Sequence, residues 1–500
     1  MFLCPLTHKR AGLGKVRDHV MHSFMKRLGV LGATCALMTS LLCACGKDGG
    51  TSSTSGTGST GDDTKGDTTF AGIKFKINEN LNFGGKTMIF SGWNEIPTEG
   101  VNATWDREIA LKKKAEEKYN VKIKRVIASS ETKFVQEVVS AYSAGVVFAD
   151  AIFSPSSYGI QLLKIKGLAR PLDDYIDYSN ERFAVCGQYS QYFDGKHYSY
   201  MPIDPGLGNI TYYNPTMLED NNCPDIMELY NKGEWTWDAL NDIVRKCTKD
   251  TNGDNVIDKF GVGGSMLLDS LLASNGVPMV SMNMKDKKLD CGLYSNSGLR
   301  ALDQLRKITF DLKGADDTYG GNNAIINFNA GNTAVLLAPT YFGGNIVPTG
   351  MPVKTAPLPK GPDADGYYNA ASFCEWNFVA GNSSFKTEEV LQVAMEMMRN
   401  DPNDSETYRD DSREGKLETF IVDNVDTGNC FATVEEAEML FDFIHKDTTK
   451  TFLNYVPRDI QSLLKEKIYD PISKGEDPRS YLESVRPVID EALKSLARTE

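Results

Sequence analysis

The chain has 500 residues, 41% hydrophobic and 24% charged, the composition of an ordinary globular protein. Its net charge is −13, and because residues 1–44 carry six basic and one acidic side chain, the remainder carries −18. So acidic a surface repels phosphate backbones and anionic lipid headgroups, and no basic helix or arginine cluster overrides it, which argues against nucleic acid as a partner.

At the start, Lys26-Arg27 precedes an apolar run from Leu28 to Ala44, and Leu42-Cys43-Ala44 leads into Cys45. A basic start, a short hydrophobic stretch and a small residue before the cut describe an export signal. The run is 17 residues long and contains two Gly, two Thr and a Ser. A membrane span needs about 20 mostly apolar residues, so a signal over 1–44 is favoured over an anchor. Met21 and Met25 are alternative starts within it. The Leu-x-Ala-Cys ending resembles a bacterial lipobox, which implies that Cys45 becomes the lipid-modified first residue of an extracellular, membrane-tethered protein. Gly46 to Thr69 is almost entirely Gly, Ser, Thr, Asp and Lys, so residues 45–70 are expected to be a flexible tether.

The remaining 430 or so residues exceed what one core usually covers, so two lobes are expected. Thr87–Ser91 reads as a short strand. Thr104 followed by Trp105-Asp106-Arg107-Glu108, with Lys112-Lys113-Lys114 beyond, reads as a capped helix aligned with its dipole. Val121 and Ile123 resume a strand, and Phe134, Val138 and Tyr142 fall at helical spacing up to Gly145. Val146 to Phe153 is a near-continuous apolar run, the pattern of a strand covered on both faces. This alternation predicts an α/β lobe, with Ser154 to Gly159 as the loop at the carboxyl end of the strand, where open α/β sheets bind ligands. Further along, Ile210–Tyr213, Thr333–Ala338 and Trp376–Ala380 read as strands, and Trp237–Thr248 and Thr387–Arg399 as helices. The end of the chain reads as helical, with breaks at Pro471, Pro478 and Pro487.

The chain after Cys45 holds Cys186, Cys223, Cys247, Cys291, Cys374 and Cys430, with no CxxC pattern. Three bridges and free buried thiols both remain open. Only His197 and His445 lie beyond residue 44, far apart, which leaves little from which to build a zinc site or a Ser-His-Asp triad. Asp250, Asn252, Asp254 and Asp258 match early positions of a calcium loop, but Asn255 stands where Gly is needed and Gly261 where a bidentate acid is needed. A solvated turn without metal is the expectation, and no cofactor is implied.

Several phrases occur in order: Phe193-Asp194-Gly195-Lys196-His197-Tyr198 before Met201-Pro202, Thr211-Tyr212-Tyr213-Asn214-Pro215, Glu234-Trp235-Thr236-Trp237, Asp250-Thr251-Asn252-Gly253-Asp254, Phe328-Asn329-Ala330-Gly331, and Pro357-Leu358-Pro359-Lys360-Gly361-Pro362. This order resembles family 1 of the extracellular solute-binding proteins, the maltose-binding-like lipoprotein receptors of ABC sugar importers. The resemblance implies a two-lobed, periplasmic-binding-protein-like (type II) α/β fold whose chain crosses between lobes about three times. Crossings would fall at Met201–Gly206, at Leu337–Tyr341 and after Arg399. Lobe 1 would be 71–203 with 341–399, and lobe 2 would be 204–340 with 400–500. It further implies a monomer that binds sugar without catalysis and passes it to permease subunits.

Sugars present apolar C–H faces and hydroxyl edges, so a receptor needs aromatic rings and hydrogen-bonding side chains in a wet cleft. Trp93-Asn94-Glu95, in the loop after the first strand, is such a set. Trp93 either stacks on ligand or packs on its lobe, and the polar pair directly after it favours ligand. Ser154 and Tyr158 occupy the second loop, Asp204 the first crossing, and Tyr341 and Phe342 follow the second. Trp376 is the other stacking candidate, its alternative being a core strand residue. Trp235 and Trp237 flank the cap Thr236 and read as packing. A rival reading is an exported carbohydrate-active hydrolase, which needs two carboxylates across a cleft; no pair is marked. An adhesin would show repeats or all-β patterning, which is lacking. A peptide receptor would share the fold.

Overall fold

A computed structural model describes residues 72–92, 96–101, 103–130, 133–180, 183, 195–200, 207–264, 266–283, 288–316, 323–371, 375–398, 413–421, 424–425, 430–446, 449–453 and 458–495. The expected signal and tether, with Cys45, lie outside them.

The first sheet grows from β1 (Thr87–Ser91), α1 (Ala103–Tyr119), β2 (Lys122–Val126), α2 (Phe134–Ser143), β3 (Ala151–Pro155) and α3 (Ser156–Leu163). β1 pairs in parallel with β2 and with β3. The second sheet begins at β4 (Asn209–Tyr213), followed by α4 (Pro215–Asp220), α5 (Ile226–Asn231), α6 (Trp237–Cys247), β5 (Phe260–Gly263) and α7 (Leu267–Ser274). After the hairpin of β6 (Val280–Asn283) and β7 (Lys288–Cys291) come α8 (Asn296–Arg306), β8 (Ala315–Asp316), α9 (Asn323–Asn329), β9 (Thr333–Pro339) and β10 (Lys354–Ala356). Then follow β11 (Tyr368–Ala371), β12 (Glu375–Val379) and α10 (Thr387–Met397). α11 (Arg413–Ile421), α12 (Val434–Ile444), β13 (Lys450–Leu453), the helices Arg458–Leu464 and Asp470–Ser473, and α13 (Pro478–Ser495) complete the order.

The strand orders are β12-β3-β1-β2 and β10-β4-β9-β5-β8, with β11-β13 and β6-β7 as separate pairs. Apolar residues of α1 and α10, among them Ala115, Tyr119, Val390 and Ala394, cover one face of the first sheet with Met88, Phe90 and Ile123. Phe134, Val138, Leu162 and Ile152 belong to a larger core that continues through α6, α7 and α8 to Leu482, Ile489 and Leu493 of α13. The other face of the second sheet is closed by Ile325, Phe328, Phe431 and Leu440.

Asp150 sets the register of the first sheet. It is 3% exposed. Its carboxylate accepts the Ile89 N–H at 2.8 Å and the Ser383 hydroxyl at 2.6 Å. Its backbone N–H donates to Ile89 O, and its carbonyl accepts Ala380 N–H. One residue thus joins β1, β3 and the segment after β12. There Gly381 donates to Leu168 O at 2.7 Å. A Cβ on Gly381 would lie 1.7 Å from the Gly167 carbonyl oxygen, so only glycine lets these backbones approach.

Asp225 plays a comparable part in the second sheet. It caps α5 through the Met227 and Glu228 N–H groups and receives the Tyr213 hydroxyl and the Lys354 ammonium. Burial opposes its ionisation, but the Lys354 ammonium at 2.9 Å and the other donors outweigh this and hold its carboxyl below the usual range.

Four expectations are corrected. The strand expected over Val146–Phe153 is confined to Ala151–Pro155, because Val146 N–H closes the end of α2 on Ala141 O and Asp150 spends its side chain on β1. Ser154 and Pro155 therefore finish the strand and Ser156 opens α3, rather than forming a loop to Gly159. The second passage between sheets does not fall at Leu337–Tyr341. β10 pairs antiparallel with β4, which keeps the chain on the second sheet well past residue 341, so that part of 341–399 is not on lobe 1. The chain rejoins the first sheet at β12, which pairs antiparallel with β3. Pro487 breaks nothing: α13 runs through it. The passage expected after Arg399 falls on 399–412, outside the described residues, between α10 on the first sheet and α11, whose Phe420 and Ile421 pack on the second.

Among the described residues no helix is long and apolar enough to cross a membrane. Replacing Asp150 with Ala strands a buried N–H and a buried hydroxyl, and should lower stability by about 3 kcal/mol, read as a lower denaturation midpoint in urea at an unchanged slope. An unchanged midpoint would remove Asp150 from this role.

Candidate functional site

Parallel strands bring their carboxyl ends to one edge, and an antiparallel neighbour adds its beginning to the same edge. In the first sheet this edge holds Ser91, Val126, Pro155 and Glu375, since Ser91 faces Val126 and Glu375 faces Pro155 in register. Ser91 ties β1 to β3 here: its hydroxyl accepts Phe153 N–H at 2.7 Å and donates to Phe153 O at 3.3 Å. In the second sheet the equivalent edge holds Asn209, Pro339 and Gly263, because Asn209 faces Pro339 and β5 runs parallel to β9.

Short connections hold the two edges close. Tyr200 N–H donates to Asn377 O on β12, and seven residues later Leu207 O accepts the Thr340 hydroxyl just after β9. On the other strand of the passage, Ala371 ends β11 and Glu375 begins β12. Four Cα steps of 3.80 Å bound that separation at about 15 Å. β11 is itself fixed to the second edge, where the Asn369 side-chain oxygen accepts Gly208 N–H at 3.1 Å.

Of the residues predicted to meet a ligand, Trp93, Asn94, Glu95 and Asp204 lie outside the described residues. The first three follow directly on the β1 end, and Asp204 lies within the connection between Tyr200 and Leu207. Trp376 is on β12, with Ser154 as its backbone partner on β3. Ser154 is fully buried. Tyr158 is 5% exposed on α3, with its ring edge-on to Phe134 at 6.2 Å. This is a core position on a helix rather than the loop position from which Tyr158 was expected to meet ligand, because α3 opens at Ser156.

Tyr341 and Phe342 sit in a 3₁₀ turn, Thr340–Phe342, directly after β9. Phe342 is half-buried against the outer core of the second sheet, while Tyr341 is 55% exposed with its ring 4.5 Å from that of Phe342. The buried Tyr212 hydroxyl donates to Thr340 O at 3.1 Å and anchors the turn. Burial raises the Tyr212 phenol well above its ordinary value, so it remains a neutral donor.

Sequence reasoning passed over Asn209 and Ser270. Asn209 is buried at the beginning of β4 and donates to the Ser270 hydroxyl at 2.8 Å, while its Oδ1 finds no donor among the described residues. A polar residue opening the apolar run Ile210–Tyr213 was the available signal. Among the described residues the edges thus hold the Ser91 hydroxyl, the Asn209 amide and the exposed Tyr341 ring, with Glu375 at the start of β12.

The loop Asp250–Asp258 is a self-bonded turn. Asp250 accepts from the N–H groups of Gly253 and Asn255, both at 2.7 Å. Asp258 accepts the N–H and hydroxyl of Thr251. The backbone N–H groups, that of Gly253 first and then that of Asn255, hold the Asp250 carboxyl below its usual range. Among the described residues no group of three or more His, Cys, Asp or Glu could hold a metal ion. Trp235 and Trp237 are buried, donating from Nε1 to Pro357 O and to the Ser274 hydroxyl, each at 2.9 Å.

No curated protein matches the chain. Among solved structures, an ABC substrate-binding protein from Listeria monocytogenes in complex with cycloalternan aligns with a TM-score of 0.55 at 14% identity, covering 82% of this chain and 99% of that one. A cyclo/maltodextrin-binding protein complexed with maltotetraose gives 0.57 at 15% identity, covering 82% and 98%. The GacH receptor of Streptomyces glaucescens gives 0.56 at 15% identity over the same shares. At these identities the likeness establishes the two-lobed fold. Residues 110–380 match the family described as bacterial extracellular solute-binding protein. With more than half its length within that match, the chain belongs to the bacterial extracellular solute-binding proteins.

Proposed function

We propose that the protein is a lipid-anchored receptor on the outer face of the cell membrane. It captures a sugar or oligosaccharide between its lobes and delivers it to the permease of an ABC importer. The observation that carries this reading is the family match, beside strand ends of each sheet that are tied to the residues leading to the other by the Tyr200–Asn377, Leu207–Thr340 and Gly208–Asn369 hydrogen bonds. In this reading the lobes close on the guest, with closure driven by the ligand's better contacts in the closed state. The protein acts as a monomer, needs no cofactor and leaves its ligand chemically unchanged. Solved proteins of the same fold are described as bound to maltotetraose, maltose and cycloalternan, which favours a saccharide over a peptide.

Titration calorimetry against a panel of mono- and oligosaccharides tests the reading. Binding of at least one, recovered intact, is expected; binding of peptides alone, or appearance of cleaved sugar, would reject it. With the ligand in hand, Trp93→Ala and Trp376→Ala should each weaken binding by on the order of 1–3 kcal/mol, about five- to 150-fold in Kd. Tyr158→Ala, by contrast, should cost about 3 kcal/mol of stability while leaving Kd unchanged in the folded fraction. Replacing Cys45 with Ser should abolish incorporation of labelled fatty acid and release the protein from the membrane fraction; persistent labelling would exclude Cys45 as the anchor.

A further inference from the structure

We propose that Cys223 and Cys247 are a modification site, a thiol pair that external disulfides convert into an intramolecular bridge. Their Sγ atoms lie 3.8 Å apart. The surrounding backbone already brings the two segments together. The Lys246 ammonium donates to Asn222 O at 3.0 Å, Cys223 N–H donates to Leu218 O at 2.9 Å, and Thr248 N–H closes α6 on Val244 O. Joining the sulfurs at about 2 Å therefore calls for side-chain rotation rather than movement of α4 or α6.

The two thiols differ in a way that fixes the order of events. Cys223 is partly exposed in the turn after α4, whereas Cys247 is the buried last residue of α6. Burial, and then the neighbouring Cys223, push the Cys247 thiol up to about 12. Cys223 is thus the group that meets a small external disulfide. Its thiolate, having lost a proton to solvent, attacks one sulfur of the reagent and expels the other half as a thiolate, leaving a mixed disulfide. Cys247 attacks the Cys223 sulfur, forming the internal bridge and expelling the second half as a thiolate, which takes up the Cys247 proton. Two protein thiols are oxidised to one disulfide, and one external disulfide is reduced to two thiols.

A member of an extracellular family meets such oxidants in its own compartment. The bridge would close the segment that contains α5, the Asp225 clamp and Trp235, all of which brace β4 and β10. It would therefore stiffen the flank of the second sheet, at a distance from the strand ends assigned to ligand. Cys291, which ends β7, and Cys430, just before α12, are buried elsewhere in the fold.

The full chain, reduced and freed of reductant, is incubated with glutathione disulfide, trapped with a maleimide in denaturant and digested. A linked peptide joining Cys223 to Cys247 is expected, with a Tm about 3 °C above that of the reduced protein. Both signals should vanish in Cys223→Ala. Maleimide on both residues after oxidation, or a glutathione adduct that persists on Cys223, would overturn the proposal. Saccharide affinity is measured on the same samples: its absence would count against the receptor reading alone, since the linked peptide does not depend on it.

Discussion

The buried carboxylate of Asp150 is the constraint on which the first sheet depends. A charge removed from water is tolerated only when donors surround it. Here the donors come from β1 and from the segment beyond β12, two stretches separated by most of the chain. Satisfying one side chain therefore fixes how far β3 slides against β1 and where the returning strand docks. The positions of Ser91, Pro155 and Glu375 at one edge follow from that register, and the loops that continue from them inherit it.

The second sheet is held by a different kind of hub. The Pro357 carbonyl accepts both the Thr211 hydroxyl and the Trp235 indole N–H, each at 2.9 Å. Lys360 exchanges backbone hydrogen bonds with Trp235 and Trp237. Asn214 caps α4 through Met217 N–H, with Pro215 in the first turn, and the His197 ring stacks on Tyr178 at 4.0 Å while bonding Asp173. Thus these described residues of the phrases by which the chain resembles its family make scaffold contacts. They specify how the lobes are built and say little about what the lobes hold.

This explains what was legible in the sequence. Helices with a cap and a periodic face, such as Thr236 with Trp237–Cys247, were readable because local and tertiary preferences agree there. β1, β4 and β9 were readable as short apolar runs with clear ends. Val146 to Asp150 misled because Val146 closes the end of α2 and is exposed while Phe148 and Ala149 join the core, and apolar character alone does not distinguish a strand from a helix terminus. β10 was missed because Lys354–Ala356 is three residues long and is defined by its partner β4 rather than by its own pattern. Tyr158 was misplaced for the same reason: whether an aromatic faces solvent or core depends on where α3 starts, and that is decided by how far β3 pairs with β12. Asn209 became visible only when the two sheets set it at an edge.

The placement of β10 has a consequence for the order in which the molecule assembles as it is synthesised. A chain that emerges amino-terminus first presents every strand of the second sheet once residue 356 is out, whereas β3 waits for residues 375–379 to cover its outer side. In that interval β3 is an uncapped hydrogen-bonding template and Asp150 lacks its Ser383 donor. The earlier half of the sequence is thus the later to mature, and it is there that a nascent molecule is most exposed to mispairing with its neighbours.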